Sequence, residues 1–301
     1  MSVPVEVLVQ KEYTKNIKMR LEDIQSIGDW LKQQPHLPQE YITDLEIILA
    51  YHSCEGCIEQ TTKVIDLNYT LRTLFSFYQN RRIDISLETA LHTWLITFLD
   101  TPTKKGYSAI YCQLLDADPQ KFVYNDVVKA FVMLMDLWQW EKGTVPGVAV
   151  ILNMDKVSVS HLSRMDLNVA QQFFYFLQEA MFVRLKEFHF INASNFIDTL
   201  MSMVKPFMKK EMLDILKIHP VGSDSLEEYI PKAALPKEAG GENKEGNVLR
   251  DEIWNKIKSN EEFFEAELKK RVEESKRPGG PKTMSTFFSG FEGSFKKLEI
   301  D

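Results

Sequence analysis

The chain of 301 residues is 44% apolar, 11% aromatic and 26% charged, enough apolar mass for one large core with a smaller helical unit beside it. Its formal charge of −7 excludes general nucleic-acid binding, which favours basic domains. Its three cysteines exclude a secreted disulfide scaffold.

The first residues, MSVPVEVLVQKEY, lack a basic leader followed by a long apolar run. No apolar stretch approaches the roughly 20 residues that span a bilayer, so the expectation is a cytoplasmic protein whose membrane contact is peripheral. Residues 20–82 read as helices. Ile24, Ile27 and Leu31, then Leu45, Ile48 and Leu49, fall at helical spacing on either side of Pro35 and Pro38. Ile65, Tyr69, Leu71, Leu74 and Phe75 supply a third helix. The CEGC run at 54–57 lacks the preceding strand of a redox site, and with only His52 nearby it lacks the four ligands of structural zinc.

After a linker at 100–105 the period changes. Strands at 109–115 and 148–152 alternate with helices at 125–140 and 167–179, and a further strand follows at 187–192. This alternation predicts an α/β fold with a mainly parallel sheet flanked by helices and joined by right-handed crossovers. The expected units are a small all-helical domain at 1–100, an α/β domain at 101–246, and a C-terminal helix and tail at 247–301. That helix, over 247–274, carries Trp254, Ile257, Phe263, Phe264 and Leu268 as anchors. Phe287, Phe288, Phe291 and Phe295 are too many aromatics for a solvated tail, so it is expected to pack on the body.

The segment FHFINASNFIDTLMSMVKPF at 188–207 is the richest. Phe188, Phe190 and Ile191 form a strand core ending at Asn192, and a doubly apolar helix follows. Phe196, Leu200, Met203 and Phe207 share one stripe; Ile197, Met201, Val204 and Met208 share a second. Two readings are open: a helix buried on both sides in a large core, or a lid whose first stripe closes an apolar cavity and whose second meets a bilayer or a partner.

This segment resembles the CRAL-TRIO lipid-binding family, which includes retinaldehyde-binding and tocopherol transfer proteins. LPKEAGG at 235–241, GVAVIL at 147–152, SHL at 160–162 and the helical stretch 44–82 follow the same pattern in the same order. FEGSFKKL at 291–298 is similar to the tail of insect members. The resemblance spans residues 20–301. It implies a lidded lipid pocket lined by segments that here carry Phe131, Met135, Trp138, Val148, Phe173, Phe176, Leu177, Met181 and Phe190. It also implies a basic cleft for membrane or phosphoinositide headgroups, for which Arg184, Lys186, Lys205, Lys209 and Lys210 are the candidates. Leu49 and His52 stand where two arginines are common in the family, and Glu211 and Ile215 replace basic residues.

The expected function is that of a monomeric carrier for a retinoid, carotenoid, tocopherol or other isoprenoid, exchanged at membranes, with no cofactor beyond the bound lipid. The alternative is a phosphoinositide-responsive interaction module without carrier activity. No G-x-S-x-G, phosphate-cradling glycine loop or H-E-x-x-H occurs, so no enzyme is expected. His161 and His189 are read as structural hydrogen-bonders rather than bases.

Overall fold

The computed structural model describes residues 5–15 and 19–288. Helices come first: α1 (Val5–Lys15), α2 (Leu21–Lys32), α3 (Asp44–Ser53), α4 (Ile58–Leu74), α5 (Ser76–Gln79) and α6 (Ile85–Thr93). Thr43 starts α3 with a capping box, its side chain accepting from the Glu46 N–H while Glu46 reaches back to the Thr43 N–H. Ile24, Ile27 and Leu31 of α2 meet Leu45, Ile48, Ile65 and Tyr69 in a core of their own.

α6 runs without a turn residue into β1 (Trp94–Phe98), so the segment read from sequence as the end of the helical region is a strand. β2 (Ser108–Leu114), α7 (Tyr124–Lys142), β3 (Val148–Asn153), α8 (Val159–Leu162), α9 (Leu167–Glu179) and β4 (Leu185–Ala193) follow. Next come α10 (Ile197–Val204), α11 (Lys210–Asp214) and β5 (Leu216–Pro220). The sheet order is β1-β2-β3-β4-β5. β1 is antiparallel to β2, and the remaining pairs are parallel. The fold is therefore α/β with a mainly parallel sheet and a helical N-terminal part.

The parallel strands add in one direction, and right-handed crossovers then bring every connecting helix to the same face. Side chains alternate along the strands, and the division is clean. Trp94, Ile96, Ile110, Cys112, Val148, Val150, Phe188 and Phe190 join the core under α7, α9 and α10. Leu95, Ala109, Tyr111, Ala149, Ile151 and Ile191 face the other way, onto Leu226, Ile230, Leu235 and Leu249. The LPKEAGG motif closes this second face. Gly240 sits at φ +77°, and a Cβ on Gly241 would strike the Leu235 carbonyl oxygen at 1.9 Å.

The C-terminal helix expected over 247–274 is two helices, α12 (Gly246–Lys258) and α13 (Glu261–Leu268). They break at Ser259 and Asn260, whose side chains hydrogen-bond back to the Lys256 carbonyl. α14 (Met284–Phe288) docks by its aromatics: Phe288 stacks at 6.1 Å on Phe75, and Phe287 and Phe288 flank Tyr175 at 6.0 and 5.4 Å. Phe291 and Phe295 lie outside the described residues.

Candidate functional site

Between the sheet and its crossover helices lies a cavity of about 130 Å³. Ile96, Cys112, Val150, Leu152, Phe188 and Phe190 form its floor, one from β1, one from β2 and two each from β3 and β4. Tyr124, Val127, Val128 and Phe131 of α7 and Phe173, Phe174 and Leu177 of α9 form the walls. His161 and Leu162 of α8, with Phe122, Met154 and Met165, close one end, and Leu200 and Val204 of α10 form the roof. Burial pushes the Cys112 thiol and the Tyr124 hydroxyl up from their ordinary pKa values and the His161 imidazole down, so the lining is neutral at pH 7.

Of the lining residues named from sequence, Phe131, Phe173, Leu177 and Phe190 reach this cavity. Met135, Trp138, Val148, Phe176 and Met181 do not. Helix α7 is about 28 Å long at 1.5 Å per residue, and the cavity spans only its first turns. Trp138, further along the same face, stacks on Phe98 at 4.0 Å, and Met135 sits beside Arg72 and Asp136. Val148 shares the parity of Val150 but begins β3, beyond the cavity's end. Phe176 turns away to pack on Tyr78 at 5.1 Å, and Met181 follows the end of α9.

The lid faces also differ from the two-stripe reading. At about 100° per residue, the eight apolar positions from Phe196 to Met208 fill one arc about 160° wide, with Leu200 and Val204 at its centre. Those two are buried and face the cavity. Phe196, Met203 and Phe207 on one edge, and Ile197 and Met201 on the other, are half-buried, while Val204 and Met208 of the supposed outer stripe point inward. The helix starts at Ile197 rather than after Asn192, which itself sits at φ +52° and donates to the Asn153 Oδ1 at 2.9 Å. Gln178 of α9, unmarked in the sequence, pins the chain just after α10. Its Nε2 donates to the Phe207 carbonyl at 2.9 Å, and its Oε1 accepts from the Lys209 N–H at 2.6 Å.

Of the five residues expected to form a basic cleft, Arg184 and Lys209 share one, and Lys186, Lys205 and Lys210 do not join them. A polar cleft of about 420 Å³ beside the cavity is lined by Arg184 and Lys209, and also by Glu179 and Glu211. Arg184 donates to the His52 carbonyl at the end of α3, from Nε at 3.0 Å. Lys209 pairs with Glu179 at 2.5 Å and Lys210 with Asp214 at 2.6 Å. Lys186 lays its stem against Gly147, and Lys205 is exposed at the end of α10. Among the described residues, no group of three or more His, Cys, Asp or Glu side chains is placed to hold a metal ion, and no helix is long and apolar enough to cross a membrane.

A family model described as CRAL/TRIO domain matches residues 93–241. The chain carries a CRAL/TRIO domain. A second model, described as Pinta-like, UBA domain, matches residues 16–86, within the helical N-terminal part. The alpha-tocopherol transfer protein-like protein of Homo sapiens is 22% identical over 266 residues, covering 82% of this chain and 72% of that protein. Clavesin-1 of Rattus norvegicus is 23% identical over 233 residues, covering 76% of this chain and 66% of that protein. The crystal structure of Sfh5 aligns with a TM-score of 0.47 at 14% identity over 68% of this chain and 77% of that one. Within the CRAL/TRIO domain the sheet, both cavity walls and the α10 roof all lie inside the matched residues.

Proposed function

We propose that this protein is a cytoplasmic, monomeric carrier for an apolar small molecule such as a retinoid, carotenoid, tocopherol or other isoprenoid, without enzymatic activity. The molecule is held in the cavity under α10 and exchanged at a membrane surface. The observation that carries the reading is the neutral, nearly unbroken apolar lining beneath a short amphipathic roof. The likeness to a tocopherol transfer-like protein supports it.

Burying about 400 Å² of apolar ligand surface contributes roughly 10 kcal/mol gross, before association costs. Release into water is then slow, and a bilayer offers the ligand an apolar destination. At about 130 Å³ the cavity is close to engineered apolar cavities of about 150 Å³ that bind benzene. A long isoprenoid therefore requires Phe131 and Phe173, in edge-to-face contact at 5.2 Å, to part and α10 to shift. The balanced charge of the polar cleft supports membrane contact through the half-buried apolar edges of α10 rather than through phosphoinositide headgroups.

Native mass spectrometry of the purified protein, with solvent extraction, tests the proposal. One equivalent of lipid per chain supports it. A lipid-free mass combined with no uptake from loaded vesicles rejects it.

The lid makes a kinetic prediction. Gln178→Ala removes both pins on the chain just after α10 and is expected to speed transfer between vesicles by about threefold to tenfold, the worth of one modest hydrogen bond. Met201→Asp puts a charge on the edge that meets the bilayer and is expected to slow transfer by a similar factor. Equilibrium affinity changes less than the rate in both. Stopped-flow transfer of a fluorescent polyene measures this, and equal loss of affinity and rate in Met201→Asp would show that edge to be ordinary core.

A further inference from the structure

The His161 imidazole is one of the few polar groups in the apolar lining, beside the Cys112 thiol and the Tyr124 hydroxyl. His161 of α8 is 2% exposed and faces the cavity. Its Nδ1 accepts the Ser158 N–H at 3.2 Å and lies 2.9 Å from the Ser158 Oγ, closing the capping box of α8. A ring nitrogen that accepts a backbone N–H carries no proton, so in the neutral imidazole the proton is on Nε2. Burial, and after it the Arg164 charge, lower the pKa of the ring, with Asp118 opposing, which keeps the ring neutral at pH 7.

That Nε2 is buried with no hydrogen-bond partner. Among the described residues it is the one such atom that belongs to the cavity lining. Phe122 stands edge-to-face with the imidazole, 5.7 Å between centroids at 74°, and an aromatic face is only a weak acceptor. Buried donors in folded proteins have partners as a rule, and leaving one bare is destabilising.

We propose that the Nε2–H of His161 is the polar anchor of the cavity and that the ligand presents an acceptor oxygen to it, as a hydroxyl, carbonyl or phenol. The inference rests on the carrier reading above and narrows it. The cavity selects an oxygenated lipid against the hydrocarbon of the same shape, because the hydrocarbon leaves a buried donor bare. Sites built around such a donor discriminate through the unpaired group more than through shape.

The test uses two fluorescent probes, all-trans-retinol and the same polyene lacking the hydroxyl, titrated into the full-length protein. Wild type is expected to bind retinol at least about tenfold more tightly. In His161→Leu the two affinities are expected to converge within about twofold. His161→Gln retains both a side-chain N–H donor and a residue suited to the third position of a capping box, so it is expected to keep a preference for retinol. With ¹⁵N-histidine labelling of the wild type, the His161 Nε2–H proton is expected to shift downfield on loading with retinol and not with the hydrocarbon, a readout that needs no substituted protein.

Equal affinities in wild type, or an unchanged ratio in His161→Leu, overturn the anchor while leaving the carrier reading standing. An extracted lipid without oxygen overturns it as well. Binding of neither probe, together with a lipid-free native mass, removes the carrier reading and the anchor with it.

Discussion

Replacing both Val128 and Val150 by phenylalanine is expected to abolish lipid loading while leaving the protein folded. Both valines line the cavity, one on α7 and one on β3, and both are buried. Added aromatic volume at these positions has about 130 Å³ of apolar space to enter. The extra apolar burial is favourable at about 25 cal/mol per Å², and misfit costs about 1–3 kcal/mol, so the two offset and the melting temperature changes little. Ligand and new side chains compete for the same space, so affinity is expected to fall at least about a hundredfold, or 2.7 kcal/mol. No charge is introduced, which separates lost binding from lost folding. Lipid content per chain by mass spectrometry and a thermal melt decide the matter. Full loading in the double variant would place the lipid elsewhere, with the polar cleft bounded by Arg184 and Lys209 as the next candidate.

How far the sequence could be read depended on whether a signal was local. Helix α9 was expected over 167–179 and occupies Leu167–Glu179, because Asp166 caps it by accepting the Asn168 and Val169 N–H groups and its apolar face is dense. The buried strands β2, β3 and β4 were visible as short apolar runs. β1 was not, because α6 passes into it with no turn residue. Nor was β5, an edge strand whose LKIHP sequence is mostly exposed. Periodicity placed Met135 and Trp138 correctly on the face of α7 that carries Phe131, but it does not say how far along a helix a cavity extends. The same limit applied to α10, where a single broad arc was divided into two faces. The lone donor on His161 had no sequence signature, since it exists only because Ser158 occupies the other ring nitrogen.

The largest effect on stability is expected from Glu267→Ala. Glu267 on α13 lies 2.6 Å from Arg72, 3.5 Å from Arg81 and 2.5 Å from Lys270. Asp136 of α7 takes the same two arginines at 2.9 and 2.7 Å, and Glu46 of α3 takes Lys270 at 2.7 Å and the Tyr69 hydroxyl at 2.8 Å. All six charged side chains are at most 10% exposed. Three positive and three negative side chains therefore pair in a buried cluster that fastens α13 to α3, α4 and α7, the last of which carries a cavity wall, and half-buried Arg271 adds a further positive charge beside Arg72 and Arg81. Removing Glu267 leaves buried positive charge unpaired, and breaking a buried pair in this way costs about 3–5 kcal/mol.

Burial by itself would raise the Glu267 pKa, but the charges of Lys270, Arg72 and Arg81 outweigh it and hold the carboxyl at about 2, below its ordinary 4.5. A depressed carboxyl contributes stability that is fully present above the unfolded value and is lost as pH falls through the folded one. Wild type should accordingly lose stability between pH 4.5 and 2. Glu267→Gln, which keeps the shape without the charge, should be weaker at pH 7 and flatter across that window. Urea unfolding at pH 7 and along the acid series measures both. Equal unfolding free energies for wild type and Glu267→Ala at pH 7 would mean that the cluster contributes no net stability, and the hold of the C-terminal helices on the cavity wall would then rest on apolar contacts such as Trp140 against Phe263 at 5.7 Å.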